Sequence, residues 1–183
     1  MPFNIDEFRA NLERGGLAKS ANFQVLVQRP FGSNINLERD LQFRCTNCTI
    51  PGRHIDTVPT QDFSMPKYVG YNVSLDDVQM RILLSEDMAE KIYFDEWMDK
   101  ISGSYRTGVT ENTMFDYGFY DDYALNTIVE ITQYDATGVK THKHTLREAF
   151  PISIGSVDTS WEEDSILYLD VTWKYRYYTS ELL

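Results

Sequence analysis

Cysteine is scarce in this 183-residue chain, which holds only Cys45 and Cys48, spaced C-x-x-C. Half a zinc site, a redox pair and two buried small residues compete for that spacing. A structural zinc needs four ligands, and no second C-x-x-C or H-x-x-x-H supplies the others. A thioredoxin-like pair opens a helix after a strand, whereas Thr49, Ile50, Pro51 and Gly52 spell a turn. Two buried small side chains are the reading the residues favour. Neither metal nor disulfide is required, because a chain this long buries about 70% of the surface its unfolded form exposes.

Long apolar runs are missing as well. No stretch of 18 apolar residues occurs, and Met1 to Gly16 carries no apolar run. The expectation is a chain with no transmembrane helix and no signal peptide, made and kept in a cytoplasm. Basic charge is also short, with 17 Lys and Arg against 28 Asp and Glu, for a net charge of -11. That balance opposes ordinary nucleic-acid binding, which draws its affinity from cations displacing counterions around phosphates. It leaves room for a protein that lets nucleic acid pass without sticking, although solubility through self-repulsion is the more ordinary cause.

Catalytic signatures are absent too: no GxSxG, Walker A loop, GxGxxG or HExxH occurs. His142 and His144 would share one side of a strand, but no third ligand at matched spacing accompanies them. Acidic pairs occur at Asp76-Asp77, Glu86-Asp87, Asp121-Asp122 and Glu162-Glu163-Asp164. Carboxylate chemistry needs such groups to converge in a cleft. Most of these stand beside strand or helix starts, where solvated turn acids belong. The sequence predicts no catalytic residue, no metal site and no cofactor.

Aromatics are plentiful, 14% of the chain with 12 Tyr and 10 Phe. They suit pleated, half-buried strands and protein–protein interfaces. The chain reads as one domain over 1–183, opening with a short helical arm within residues 1–20. There Asn4 and Glu7 form a capping box, Phe3 staples onto Phe8, and Gly15-Gly16 stop the helix. Phe23, Val25 and Val27 mark a strand, and Leu41, Phe43 and Cys45 a second, joined as a hairpin through Gly32 to Asn36.

Residues 50–71 resist assignment. Pro51, Pro59 and Pro66 interrupt any ladder, yet Ile55, Val58, Phe63, Met65, Tyr68 and Val69 are too apolar for a solvated loop. A long, apolar, proline-stiffened loop suggests packing on another molecule, with folding back over its own sheet as the alternative.

Val73 and Leu75 share one phase and Val78, Met80, Ile82 and Leu84 the other, so a turn or bulge falls at Asp76-Asp77. Ser85 caps a helix over 85–102, with Tyr93, Phe94, Trp97, Met98 and Ile101 on one face and Gly103 as its end. Residues 102–123 carry no clear pattern. A strand follows to Tyr134, then a turn at Asp135 to Gly138. The polar strand from Val139 to Phe150 belongs at an edge or on a wet surface, and Pro151 ends it. Leu167 to Tyr177 alternates without a break. The total is about seven strands, with no internal repeat.

Several segments, taken in order, resemble the tail tube protein family of contractile-tailed bacteriophages. They are FQVLVQRP (23–30), FRCTNCTIPG (43–52), LDDVQMRILLSEDM (75–88) with the Trp97 helix after it, YDDYALNTIVEITQYDATG (120–138) and LREAFPISIGSVDTSWEEDSILYLDVTWKYRYY (146–178). The last two are the most specific. Residues 102–123 and the N-terminal arm correspond least.

The resemblance implies a mainly β (α+β) fold, a β-sandwich or open barrel flanked by one helix and related to the type VI secretion tube protein. It implies hexameric rings, joined through their inner sheets and stacked into a tube. Residues 50–71 would be the inter-ring loop, with Ile55, Val58, Phe63, Met65 and Tyr68 as contact candidates. The implied partners are further copies of the chain, the sheath, the tape measure protein, and baseplate and tail terminator proteins. DNA would slide through an acidic lumen during ejection, and no membrane is involved. The implied place is the virion, after assembly in the host cytoplasm. A baseplate tube-initiator, a type VI-like tube protein and a soluble β-barrel enzyme or ligand-binding domain are the alternatives.

Overall fold

Two strands with clean alternation, 78–83 and 168–174, lie side by side and define the interior. The computed structural model describes residues 18–32, 35–62, 65–103, 117–161 and 165–183. Along these run β1 (Phe23–Gln28), α1 (Ile35–Arg44), β2 (Cys45–Cys48), β3 (Arg53–Asp62), β4 (Met65–Leu75), β5 (Val78–Leu83) and α2 (Ala89–Ser102). After them come α3 (Tyr120–Tyr123), β6 (Ile128–Tyr134), β7 (Lys140–Arg147), β8 (Phe150–Ile154), β9 (Tyr168–Lys174) and β10 (Tyr177–Leu182). The pairings are antiparallel: a sheet β1-β6-β7-β10, a sheet β2-β5-β9-β8, and a separate hairpin β3-β4.

The inward parity of each sheet is apolar and buried. Val25, Val27, Val129, Ile131 and Leu146 come from the first sheet; Val78, Met80, Ile82, Leu169, Val171 and Trp173 come from the second. They form one core. The architecture is the mainly β sandwich that the resemblance implied, and neither sheet closes into a barrel. Helix α2 buries Tyr93, Phe94 and Trp97 against it. Phe94 and Trp97 meet Trp173 edge-on, with ring centroids 5.9 and 5.4 Å apart, the arrangement that ring quadrupoles favour. The Trp97 indole N–H donates to the Tyr123 carbonyl at 3.0 Å. Gly103 ends the helix in a left-handed conformation, φ 68°.

The sheets exchange strands at a double corner. β7 leaves the first sheet at Arg147 and the chain enters the second at Phe150; β9 leaves the second at Lys174 and the chain re-enters the first at Tyr177. Glu148, at φ 53°, makes the first bend. Its carboxylate accepts from Arg176 at 3.0 Å and from the Tyr120 hydroxyl at 2.9 Å, and Arg176 N–H donates to the Arg147 carbonyl at 3.2 Å. Burial, then the bond to Glu148, pushes the Tyr120 phenol up to about 12.

Four expectations are corrected. Residues 41–44 are helical, not a strand, and β1 pairs with β6. Leu41 and Cys45 satisfy a helical i, i+4 spacing as well as a strand's. Burial decides between them: Leu41 is 2% exposed and Phe43 is 74% exposed. Ser85 is not a helix cap. Helix α2 starts at Ala89 after Met88 in a left-handed conformation, and Ser85 is engaged by Glu90, which accepts from both its N–H and its hydroxyl. The polar stretch 139–150 is not an edge strand: β7 lies between β6 and β10, and Pro151 sits within β8, opposite Trp173. The unbroken alternation from Leu167 to Tyr177 spans two strands in two sheets. The expected turns at Asp76-Asp77 and at Asp135 to Gly138 are present, the latter with Gly138 at φ 84°. The N-terminal capping box and Gly15-Gly16, along with residues 104–116, lie outside the described residues.

Glu90 is fully buried and pairs with Arg44, tying the end of α1 to the start of α2. Glu90→Ala is expected to lower unfolding stability in urea by about 2–4 kcal/mol, since it strands Arg44 and the Ser85 N–H. Leu41→Ala should cost about 2–5 kcal/mol. Phe43→Ala should stay within about 0.5 kcal/mol, and equal losses at the two positions would restore the strand reading.

Candidate assembly surface

Residues 50–71 are not an irregular loop. Most of them belong to a long hairpin, with β3 and β4 paired from Arg53↔Leu75 to Asp62↔Met65. One register shift, between Asp56 and Thr57, interrupts the ladder. There Gly70 lies so close to Ile55 that an added Cβ would come within 2.8 Å of its Cγ2. The prolines fit because each strand of an isolated ribbon has a free edge, where a missing N–H breaks no ladder.

The hairpin belongs to neither sheet. Ile55 is 61% exposed, Val58 47%, Met65 82% and Tyr68 66%. Phe63, the fifth candidate, lies outside the described residues. Cross-strand partners share a face, so Ile55 stands with Val73 and Tyr68 with Pro59, while Val58 stands with Val69 on the other face. Val69, Tyr71 and Val73 are exposed as well. Of these, Tyr71 and Val73 were not singled out from sequence; their shared parity with Leu75 was the available signal. A two-stranded ribbon is marginal in water, and apolar side chains on both of its faces gain free energy when covered, at about 25 cal/mol per Å².

The hairpin's root is tied down by four contacts. Asp76 N–H donates to the Gly52 carbonyl at 3.3 Å, and Tyr175, a core side chain, donates its hydroxyl to the Asp76 carbonyl at 2.8 Å. His54 Nε2 lies 3.1 Å from Asp76 Oδ1. The Arg53 guanidinium sits 5.2 Å from the centroid of the Tyr178 ring. Burial pushes the Tyr175 phenol up to about 12, with Tyr178 adding to the effect.

Among the described residues the other candidates stand apart from one another. Burial drives the Cys45 thiol up to about 11 and raises Cys48 further, the reverse of an activated pair. Asp77 is held by Lys174 at 2.7 Å, and Asp87 bonds Ser85, which lowers its pKa. Asp121 and Asp122 are exposed on α3, and residues 162–164 lie outside the described residues. Among the described residues no group of three His, Cys, Asp or Glu could hold a metal. A polar cleft of about 280 Å³ between β2, β5 and β9 is lined by Asn47, Thr49, Gln79, Arg81 and Asp170. Arg81 and Asp170 occupy each other at 2.7 and 2.9 Å, and Arg81 holds the Asp170 carboxyl below its usual value.

His142 and His144 stack on each other in β7 with ring centroids 4.3 Å apart, and Ser180 Oγ lies 3.0 Å from His142 Nε2. Burial, then the neighbouring His142, holds His144 below its ordinary value of 6.5. The unfolded chain therefore takes up this proton more readily than the folded one. The contribution to stability is full above about pH 6.5 and is lost as pH falls below that. Acidification from pH 7 to 5 should lower the thermal midpoint less in His144→Gln than in the parent; equal slopes would remove His144 from the account.

The sequence pattern of the phage tail tube protein family matches residues 8–181. No curated protein matches the chain in sequence. Among solved structures, a chain of the anti-feeding prophage baseplate is similar at TM-score 0.65 and 12% identity, covering 91% of this chain and 96% of that one. A chain of the sheath–tube complex of an extracellular contractile injection system, PVC, in its extended state, is similar at TM-score 0.63 and 12% identity, covering 95% and 97%. One from the tube terminating cap of the anti-feeding prophage follows at TM-score 0.62 and 13% identity, covering 92% and 93%. At such identities the likeness shows a shared fold. The family match spans nearly the whole sandwich together with its hairpin, and the chain belongs to the phage tail tube protein family.

Proposed function

We propose that this chain is the structural subunit of a contractile tail tube, forming hexameric rings that stack through the β3–β4 hairpin into a conduit for DNA. The observation that carries the reading is the hairpin itself, a paired ribbon outside both sheets with exposed apolar side chains on both faces. A surface of that kind favours a covering partner, and in a tube the partner is the next copy of the chain. Head-to-tail repetition of one contact gives rings or filaments. Among the described residues each four-stranded sheet also ends in two strands with an unpaired edge, β1 and β10 or β2 and β8, available for pairing between copies.

The chain works by assembly and not by catalysis. Its partners are further copies, a surrounding sheath, a tape measure protein inside the tube, and baseplate and terminator proteins at its ends. Its place is the virion, after assembly in the host cytoplasm; among the described residues no helix is long and apolar enough to cross a membrane. DNA passes an acidic bore without sticking. In support, Arg81 and Lys174 on the outward face of the second sheet are held by Asp170 and Asp77. On the first sheet Lys143 lies between Glu130 and Glu181. Cations so held are not free to replace the counterions of a phosphate backbone.

Negative-stain microscopy of purified protein over a wide concentration range should show rings and tubes. A strictly monomeric species throughout would sink the reading, and rings that never lengthen would make the chain a tube-initiator. Replacing 55–73 by Asn-Gly joins the cross-strand neighbours His54 and Ser74. That variant should fold and fail to stack; if it unfolds, the hairpin belongs to the core. Met65→Ser with Tyr68→Ser should change stability by no more than about 0.5 kcal/mol per site while reducing tube formation.

A further inference from the structure

A projecting arm can join two copies in register only if its direction is set before they meet. We propose that Asp76 is the positioning residue that sets this direction, and that Gly52 is glycine so that the Asp76 carboxylate can seat. In its bearing on stacking, this rests on the reading of the hairpin as the inter-ring contact.

Two chain segments converge on Asp76. From the start of β3 come the Gly52 carbonyl, which accepts its N–H, and His54, whose Nε2 reaches its carboxylate. From the β9–β10 corner comes the Tyr175 hydroxyl, which donates to its carbonyl. The neighbours repeat the tie, with Asp77 on Lys174 and Arg53 over Tyr178. Tyr175 and Tyr178 contact each other edge-on, with centroids 6.2 Å apart. Tyr175 is buried in the core, and Tyr178 packs against that core from the first sheet. The hairpin is thereby fixed to the corner where the two sheets exchange strands, not merely to the strand that follows it.

Gly52 is where the arrangement is vulnerable. A Cβ added there would overlap Asp76 Oδ2. A carboxylate end can rotate away, so Gly52→Ala expels it from its seat and breaks the His54 contact without touching either partner. Both acidic and basic members are half or more exposed, so their loss leaves the sandwich standing.

The test measures direction and assembly separately. Spin labels carried on non-natural side chains at Gln61 in the hairpin and Ser153 in β8 report their separation by dipolar spectroscopy in dilute, unassembled protein. The parent should give one narrow distance distribution. Asp76→Ala and Gly52→Ala should each broaden it about twofold, with unchanged thermal midpoints, and the double variant should be no broader than either single one, since both remove the same contact. The same variants should raise the concentration needed for tubes about tenfold, because an arm that is no longer preorganised must be ordered on contact.

A distribution left narrow by Asp76→Ala, or additive broadening in the double variant, overturns the proposal. Broad distributions in variants that form tubes at the parent's concentration uphold the positioning role and refute the stacking reading instead.

Discussion

The contact between Trp97 and Trp173 is the constraint on which the rest of the structure depends. Two sheets packed face to face need something to close the open side of their core, and here a helix does it with aromatic edges. Trp173 belongs to β9, central in its sheet, and Trp97 to α2. Around the pair, Phe31 follows β1, Phe94 lies on the same helix, and Tyr93 carries its hydroxyl to the backbone of Arg29 at 3.2 Å. Arg29 is buried, stacks over Tyr93 and Phe31, and reaches Glu96 at 2.9 Å. A cation in that position is tolerable because its donors are engaged and its plane lies on aromatic faces.

How much of this was legible depended on whether a pattern had one structural meaning or two. β5 and β9 alternate over six and seven residues with no competing periodicity, and the Tyr93 to Ile101 stripe fits only a helix. Leu41 and Cys45 satisfy both periods, and packing against β1 with Phe43 turned outward chooses the helix. The corner at Tyr175 and Arg176 left no trace, because alternation runs through a change of sheet without a phase slip. In residues 50–71, apolar excess among the prolines marked a segment whose described apolar side chains are largely exposed. Its hairpin form stayed hidden because proline is read as a ladder breaker, which holds for interior strands and not for a ribbon with two free edges. Glu90 and Arg29 were also unreadable, since buried charges are recognised by partners that stand far away in sequence.

Charge and surface divide the work between them. The acids outnumber the bases by 28 to 17, and several of the bases face carboxylates across a strand. Arg81, Lys143 and Lys174 on the two sheets are each held by a carboxylate, while the hairpin carries exposed apolar side chains from Ile55 to Val73. An acidic excess and an exposed apolar ribbon thus occur in one chain.

The double corner at Glu148 and Arg176 also has a mechanical meaning. Two stretches of backbone, side by side, pass from one sheet to the other and are joined by the Arg176–Arg147 hydrogen bond and the Glu148–Arg176 ion pair. A force that pulls the sheets apart at this edge meets two short covalent crossings in tension, whereas at the opposite edge the chain crosses from β1 to β2 through the longer α1, which yields once its packing and its bond to α2 are lost. Under load the sandwich should therefore open like a hinged book, with its spine at the corner and its yielding edge on the helical side.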